Sequence, residues 1–371
     1  MDPEPRTFER LRDFMKGHIM SKVYQNLAKH LDNLPGGFPA TDSGVELRIL
    51  KRLFTPGEAE IAVALSMVPE PAAAIAERLN MEESSMAQLL ESMSKKGLLF
   101  SMHKQEQDLY MAAQFVVGIW EYHVNALDEE LIKEVNEYMP HLMQNVWMKQ
   151  KTKQLRVIPI SKSVAAEMSI MPYEEAEKII QKQSKIVVAP CICRKEHNIM
   201  AKGCGKPLEA CLIFGSGAYY YEKNGLGRSI SQDQALDILN KASEAGLVLQ
   251  PGNSQKSANI CLCCGCCCQI LKNLNTLDQP AKAVNSNFYV TVNQENCTAC
   301  GICKDRCQMD AITVEDTAQI DLQRCIGCGL CVVSCDFDAM GLVEKAEADR
   351  WVPPSNTYKT YLNIARERGL I

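Results

Sequence analysis

Hydrophobic positions divide the chain into segments with different periods. From residue 57 to residue 100, apolar residues recur every three or four positions in successive stretches, which is the spacing of amphipathic helices. Gly97 follows the last of these helices as a stop signal, and the next residues, to about 115, suit a β-hairpin. Further helices are predicted within 1–56 and 126–150. The front of the chain is therefore predicted to be rich in helix.

The middle of the chain alternates between shorter elements. The stretches "LRVIPI" (155–160) and "KIVVAP" (185–190) favour strands, and "PYEEAEKIIQKQ" (172–183) between them favours a helix. A second amphipathic helix is predicted in "SQDQALDILNKASEAG", with Ser231 as its N-cap and Gly246 at its end. This alternation predicts an α/β arrangement.

The helices and hairpin of about residues 57–120 resemble a winged-helix domain. The resemblance implies nucleic-acid binding, but the charge argues against it. Residues 57–125 carry four Lys and Arg against ten Asp and Glu, a net of −6, and the presumed recognition helix opens with Glu82 and Glu83. Because DNA affinity comes largely from neutralising phosphates with basic groups, we expect a scaffold or docking role instead.

The composition is ordinary except in its cysteine content. The 371 residues are 46% hydrophobic and 23% charged, as in ordinary globular proteins, but they include 18 cysteines, all between Cys191 and Cys335. The first residues lack the apolar segment of a secretory signal, and no apolar run approaches membrane-spanning length. We therefore expect a cytoplasmic protein without membrane insertion, in which clustered thiolates bind metal rather than form disulfides.

Two cysteine runs near the end of the chain are copies of one pattern. Residues 297–307 are "CTACGICKDRC" and residues 325–335 are "CIGCGLCVVSC", and both follow C-x-x-C-x-x-C-x-x-x-C. Over about residues 288–343 the chain resembles the bacterial two-cluster ferredoxins. The resemblance implies two 4Fe–4S clusters, each with three ligands from one run and the fourth from the other. The two implied ligand sets are Cys297, Cys300, Cys303 and Cys335 for the first cluster, and Cys325, Cys328, Cys331 and Cys307 for the second.

The match departs from that family in one respect. The family usually has proline after the fourth cysteine of each run, whereas this chain has Gln308 and Asp336. Neither change removes a ligand, and both restore a backbone N–H that proline lacks. Two zinc sites are the alternative for these runs.

The other ten cysteines lie between residues 191 and 268. In "CLCCGCCC", Cys261, Cys264 and Cys267 repeat the C-x-x-C-x-x-C register, and Cys263 and Cys266 form a second, interleaved pair. One local loop cannot present both registers to one cluster. The sequence therefore leaves open two further clusters, or one cluster beside exchangeable thiols, with a metallothionein-like zinc or copper site as another alternative. The candidate ligands are Cys191, Cys193, Cys204, Cys211, Cys261, Cys263, Cys264, Cys266, Cys267 and Cys268.

This middle pattern, "PCICR" followed by "CCGCCC", is similar to a group of iron–sulfur proteins of anaerobes that carry a ferredoxin-like tail. The triplet Cys263–Cys264–Gly265 also resembles the CCG motif of heterodisulfide reductases, although the wider spacing of that motif is not reproduced. Neither resemblance implies a specific reaction.

The fold class predicted from all these patterns is multidomain α+β. The predicted order is a helical segment (1–56), a winged-helix-like domain with a following helix (57–150), a cysteine-rich Fe–S domain (151–284), a ferredoxin-like 2×4Fe–4S domain (285–345) and a tail (346–371).

The predicted function is single-electron transfer between a redox protein partner and the Cys191–Cys268 centre, within a homo-oligomer or as a subunit of a larger oxidoreductase. Charge supports docking, because residues 151–284 carry a net of +6 and residues 285–345 a net of −5. Two alternatives remain open: a redox-sensing winged-helix regulator, and a reductase of thiols, disulfides or sulfur compounds at the middle cysteines.

Overall fold

The computed structural model describes residues 22–168 and 170–371. The part of the predicted N-terminal segment before residue 22 lies outside these residues. The chain divides into two compact units, which meet in sequence between Val146 and Trp147. In the described ranges, no helix is both long enough and apolar enough to cross a membrane.

The first unit is mainly helical. Its three strands form an antiparallel sheet in the order β1-β3-β2: β1 (Glu70–Pro71), β2 (Leu99–Lys104) and β3 (Gln107–Ala112). Its helices are α1 (22–32), α2 (Val45–Leu53), α3 (Pro56–Val63), α4 (Ala72–Leu79), α5 (Glu83–Lys95), α6 (Trp120–Tyr122) and α7 (Glu129–Asn145).

Local side-chain contacts fix where these helices begin. Thr55 and Glu58 form a reciprocal capping box at the start of α3. Asp128 accepts a hydrogen bond from Leu131 N at 2.8 Å and so caps α7. At α5, Glu82 is the cap and accepts hydrogen bonds from the backbone N–H groups of Ser84 and Ser85. The acidic start of that helix thus satisfies the helix's own donors.

The middle of the second unit is a five-stranded sheet in the order β6-β4-β5-β8-β7, and every neighbouring pair is antiparallel. The strands are β4 (Ile186–Pro190), β5 (Glu209–Phe214), β6 (Arg228–Ile230), β7 (Val248–Pro251) and β8 (Asn259–Cys263). The helices around it are α8 (Ala176–Gln181), α9 (Ile192–Ile199), α10 (Gly215–Lys223), α11 (Gln232–Glu244) and α12 (Gln269–Asn275).

Several predicted elements of this region are confirmed, and others are wrong. The strand expected at 185–190 is β4, and the helix capped by Ser231 is α11, with Gly246 at a φ of +69° after it. The prediction of a strand at 155–160 is wrong. The β-pairing of this segment consists of two isolated bridges, from Leu155 to Gly252 and from Ile158 to Leu249.

The C-terminal region repeats a loop-and-helix unit around two strand pairs. Its strands are β9 (Phe288–Val292), β10 (Ile312–Val314), β11 (Ala318–Ile320) and β12 (Met340–Glu344), paired as β9 with β12 and β10 with β11. Its helices are α13 (Ile302–Arg306), α14 (Leu330–Val333) and, at the end of the chain, α15 (Thr357–Glu367). The protein is thus a mixed α/β, multidomain chain.

The final segment packs on the middle of the same unit. Trp351 Nε1 donates to Asn253 Oδ1 at 2.9 Å, and Thr360 Oγ1 donates to the Asn253 carbonyl at 2.6 Å. Thr152 Oγ1 and N both donate to the Glu367 carboxylate, at 2.6 and 2.9 Å. These contacts hold α15 against the cysteine-rich region.

Candidate metal centres

The first C-terminal run and the last cysteine of the second run surround one cavity. This cavity spans about 330 Å³, including space that is open to solvent, and is lined by Gly301 and Ile302 at the N-terminus of α13. Its walls include Ile302 and Phe337, which are 42% and 48% exposed. The cysteines that line it are Cys297, Cys300, Cys303 and Cys335.

A second cavity has the complementary set. It spans about 370 Å³, including space that is open to solvent, and its walls include Val290, Ile312 and Leu330. The cysteines that line it are Cys307, Cys325, Cys328 and Cys331. The structure therefore brings the eight cysteines into the two groups of four that the crossed arrangement requires.

Backbone conformation explains why each loop can wrap around its cavity. Gly301 and Gly329 precede α13 and α14 with φ of +82° and +75°, a region that favours glycine. Backbone N–H groups point at sulfurs, from Ala318 to Cys297 and from Ala311 to Cys307, both at 3.3 Å. Donors of this kind stabilise sulfur that carries negative charge, so the donor set fits iron–sulfur clusters.

Burial raises the pKa values of thiols that line the second cavity. It raises the pKa of Cys328 to about 12 and also raises the pKa values of Cys325 and Cys307. Metal binds the thiolate, so binding must release these protons. In this cavity a thiolate is therefore disfavoured unless a bound cation compensates its charge.

In the middle region, four sulfurs lie within 4.8 Å of one another. We call them the four-sulfur set: Cys204, Cys264, Cys266 and Cys267. Cys204 comes from the loop after α9, and the other three come from the turn between β8 and α12. Burial raises the pKa of Cys266 to about 11, whereas at Cys204 it is outweighed by the Lys206 N–H and the neighbouring sulfurs, which lower the pKa to about 7.

The other six middle cysteines form a continuous series of sulfur contacts, which we call the thiol chain. In order of contact it comprises Cys191, Cys193, Cys268, Cys263, Cys261 and Cys211. The sheet produces part of it directly, since Cys211 of β5 is paired with Cys261 of β8. Hydrogen bonds from Cys193 and Cys263 hold the pKa of Cys268 well below its ordinary value.

Arg194 lies among these thiols and is only 2% exposed. Its Nη1 donates to the Pro207 carbonyl and its Nη2 to the Leu262 carbonyl, both at 2.7 Å. Burial acts to lower the pKa of Arg194, but the nearby Cys191 and Cys264 sulfurs raise it overall. A permanent positive charge therefore faces the cysteines.

Some residues of the site carry no sequence signal. Gln250 Nε2 contacts Cys268 Sγ at 3.8 Å, and Asn259 Nδ2 contacts Cys261 Sγ at 3.6 Å. Gln250 reaches the thiol chain from β7, where it is paired with Cys261 of β8, whereas Asn259 lies two residues before Cys261 on β8 itself. The register of the folded sheet is needed to reveal Gln250.

Comparison with known proteins gives a finding for the C-terminal region. The family model described as "4Fe-4S binding domain" matches residues 290–313 and 318–340. No curated protein and no solved structure matches the chain significantly. With the two cavities, this match indicates that the C-terminal region carries two 4Fe–4S clusters, and the middle cysteine group can hold an additional iron–sulfur centre. Such clusters supply single-electron transfer.

Proposed function

We propose that this protein relays single electrons between an external redox protein and the cysteine-rich centre of its middle region. The observation that carries the proposal is the placement of two four-cysteine cavities and ten further cysteines in one compact unit. The predicted ligand sets of the two clusters are those that line the cavities. A role as a subunit of a larger oxidoreductase belongs to the same proposal.

The two cavities differ in exposure, and this difference supports a direction of electron transfer through the protein. At the first cavity, Cys300 is exposed, as are the apolar side chains of Ile302 and Phe337. At the second cavity, Ile160 N donates to the Cys328 carbonyl at 3.1 Å, so a segment of the middle region lies across that loop. We assign partner docking to the first cavity and internal transfer to the second.

Hydrogen bonds join the acidic C-terminal region to the basic middle region. Arg306 donates from Nη1 and Nη2 to the carbonyls of Glu244 and Ser243, at 2.7 and 2.6 Å. Arg324 donates from Nη1 to the Leu277 carbonyl at 3.0 Å. These contacts fix the distance between the centres, which a relay requires.

Reductive titration tests the relay. Anaerobic full-length protein is titrated with dithionite, a low-potential one-electron donor, and followed by visible absorption and EPR. The two C-terminal clusters take up about two electrons per chain, one for each 4Fe–4S centre, and the middle centre takes up more. A variant with Cys204→Ser, Cys264→Ser and Cys268→Ser should retain only the first uptake. Equal uptake by both proteins, or no uptake, would contradict the proposal.

A second candidate function is reduction of a thiol, disulfide or sulfur compound, and the thiol chain favours it. Six thiols in contact, beside a single-electron source, could exchange with such a substrate. A groove lined by Arg228, Asp237 and Lys241 reaches Leu262. Leu262 lies between Cys261 and Cys263 of the thiol chain. Turnover of a disulfide by the dithionite-reduced protein, lost in a Cys263→Ser variant, would favour this function.

The redox-sensing regulator is the third candidate. The order α3, β1, α4, α5, β2, β3 supports a winged-helix-like domain, but Glu82 at the start of α5 and the net charge of −6 oppose contact with phosphates. We propose a docking role for this region, in a cytoplasmic complex. Tight, salt-sensitive binding of duplex DNA in a gel-shift assay would contradict that role.

A further inference from the structure

The four-sulfur set has the dimensions of a shell around one metal ion. A tetrahedral thiolate site with metal–sulfur bonds of about 2.3 Å puts its sulfurs about 3.8 Å apart. Cys266 and Cys267 sulfurs are 3.8 Å apart, and all four lie within 4.8 Å of one another. In a cubane, four ligands bind four different irons, so their sulfurs are spread more widely. Among the described residues, no C-terminal cysteine belongs to a group of ligand atoms as close as the four-sulfur set.

The turn that carries three cysteines of this set contacts the ferredoxin-type region through Gly265. Gly265 lies between Cys264 and Cys266, and its N–H donates to Gln308 Oε1 at 2.7 Å. Gln308 follows Cys307, which lines the second cavity. A covalent path with a single hydrogen bond therefore joins one sulfur environment to the other.

Steric contact makes this junction specific to glycine. A Cβ on Gly265 would lie 2.6 Å from the Gln308 carbonyl oxygen, which is closer than real Cβ atoms come. Asn275 Nδ2 donates to the same carbonyl at 3.0 Å and holds it in place. Gln308 is also one of the two residues that replace the usual proline. A proline there would have no side-chain amide oxygen to accept the hydrogen bond from the Gly265 N–H.

We propose that Cys204, Cys264, Cys266 and Cys267 bind a single iron ion, and that Gln308 and Gly265 connect this ion to the cluster of the second cavity. The inference rests on the proposed function and assigns its middle acceptor. One electron leaves the reduced cluster, which is oxidised by one unit, and ferric iron in the four-sulfur set becomes ferrous. Dithionite, the one-electron reductant, supplies the electron, and no proton is needed.

Metal analysis of paired variants tests the ion. A Cys204→Ser, Cys266→Ser protein should lose one iron per chain and no acid-labile sulfide, together with the EPR signal of high-spin ferric iron in the oxidised state. Loss of four irons with four sulfides would show a cubane, loss of zinc would show a structural ion, and no loss would show no site; each of these overturns the inference.

Two controls keep that result interpretable. A Cys211→Ser variant alters the thiol chain instead and should keep the ferric signal. The C-terminal clusters should be retained in both proteins, with about eight irons in the two 4Fe–4S centres, which also shows that the chain has folded. If these eight irons are absent or cannot be reduced, the proposed function itself fails, whereas the inference alone fails if only the ferric signal is missing.

Freeze-quench EPR after rapid mixing with dithionite tests the connection. In Gln308→Ala, the ferric signal should disappear several-fold more slowly than in the unmodified protein, with unchanged iron content. The matched control is Asp336→Ala, at the equivalent position of the other run, where the rate should not change. Gly265→Ala should act like Gln308→Ala, because both disturb the same contact. Equal rates in all four proteins would overturn the role of Gln308.

Discussion

The C-terminal and middle regions both collect cysteines, but they do so by different means. Around each C-terminal cavity, three cysteines come from one short loop and the fourth from the repeat of that loop. In the middle region, sulfurs from the end of β4, the loop after α9, β5 and the β8–α12 turn meet because the strands pair. The regular spacing of the C-terminal cysteines matches the groups that line the cavities, whereas the regular spacing of Cys261, Cys264 and Cys267 does not match the middle groups, because Cys261 lies outside the four-sulfur set.

Iron removal should separate the two regions most strongly. The C-terminal core is small and includes cysteines among its buried residues, such as Cys303 and Cys331 beside Phe288. The middle sheet has apolar residues of its own with no exposure, including Val187 and Leu212. Because metal binding contributes to folding free energy, a chelator under air should unfold β9 and β12 first.

Hydrogen exchange measures this difference. Amides of the β9–β12 pair should lose protection when iron is removed, while amides of the β4–β5 pair stay protected. Equal loss in both pairs would show that the middle sheet also depends on metal.

Removal of one C-terminal ligand should have the next largest effect. Cys331→Ser takes away a thiolate from the second cavity, and we expect about four irons to be lost with that 4Fe–4S cluster. Iron and sulfide analysis measures the loss. Ser334→Ala is the matched control, because it removes only a hydrogen bond of 3.2 Å to the Cys331 carbonyl and should keep the iron.

Two glycines with the same backbone conformation differ in the space around them. Gly327 and Gly225 have φ of +67° and +66°, but a Cβ would lie 2.1 Å from the Phe288 carbonyl oxygen at Gly327 and would meet nothing within 4 Å at Gly225. Gly225→Ala should cost about 1–2 kcal/mol of stability. Gly327→Ala should cost about 1–3 kcal/mol more, because the side chain must also be accommodated. Denaturant unfolding of the metal-loaded proteins measures both, and equal costs would contradict the close packing.

Arg324 joins the C-terminal region to the middle region. Its Nη2 donates to the Asn275 carbonyl at 3.2 Å and its Nη1 to the Leu277 carbonyl at 3.0 Å. Hydrogen bonds from a charged group contribute about 1.5–3 kcal/mol, so Arg324→Ala should lower the free energy of unfolding by that amount. Arg350→Ala removes a partly exposed ion pair with Glu344 and should cost at most about 1 kcal/mol. Equal losses of unfolding free energy in the two variants would show that the Arg324 contacts contribute no more than a surface ion pair.

The sequence predicts those parts of the molecule that depend on neighbours along the chain. The Ser231 capping box and the Gly246 stop are local, and α11 has both. The 155–160 segment has the composition of a strand, but its partners are lone residues such as Leu249, so a strand was the wrong prediction. Division of the ten middle cysteines into two groups depends on strand register, for example Cys211 opposite Cys261, and spacing alone could not supply it.

Metal analysis of anaerobically purified protein shows whether its cysteines hold iron–sulfur clusters. Iron, zinc and acid-labile sulfide are measured per chain on the same folded sample. We expect about eight irons and eight sulfides from the two 4Fe–4S clusters, together with further iron from the middle cysteines. A folded, colourless protein that contains zinc or no metal would overturn the assignment of iron–sulfur clusters.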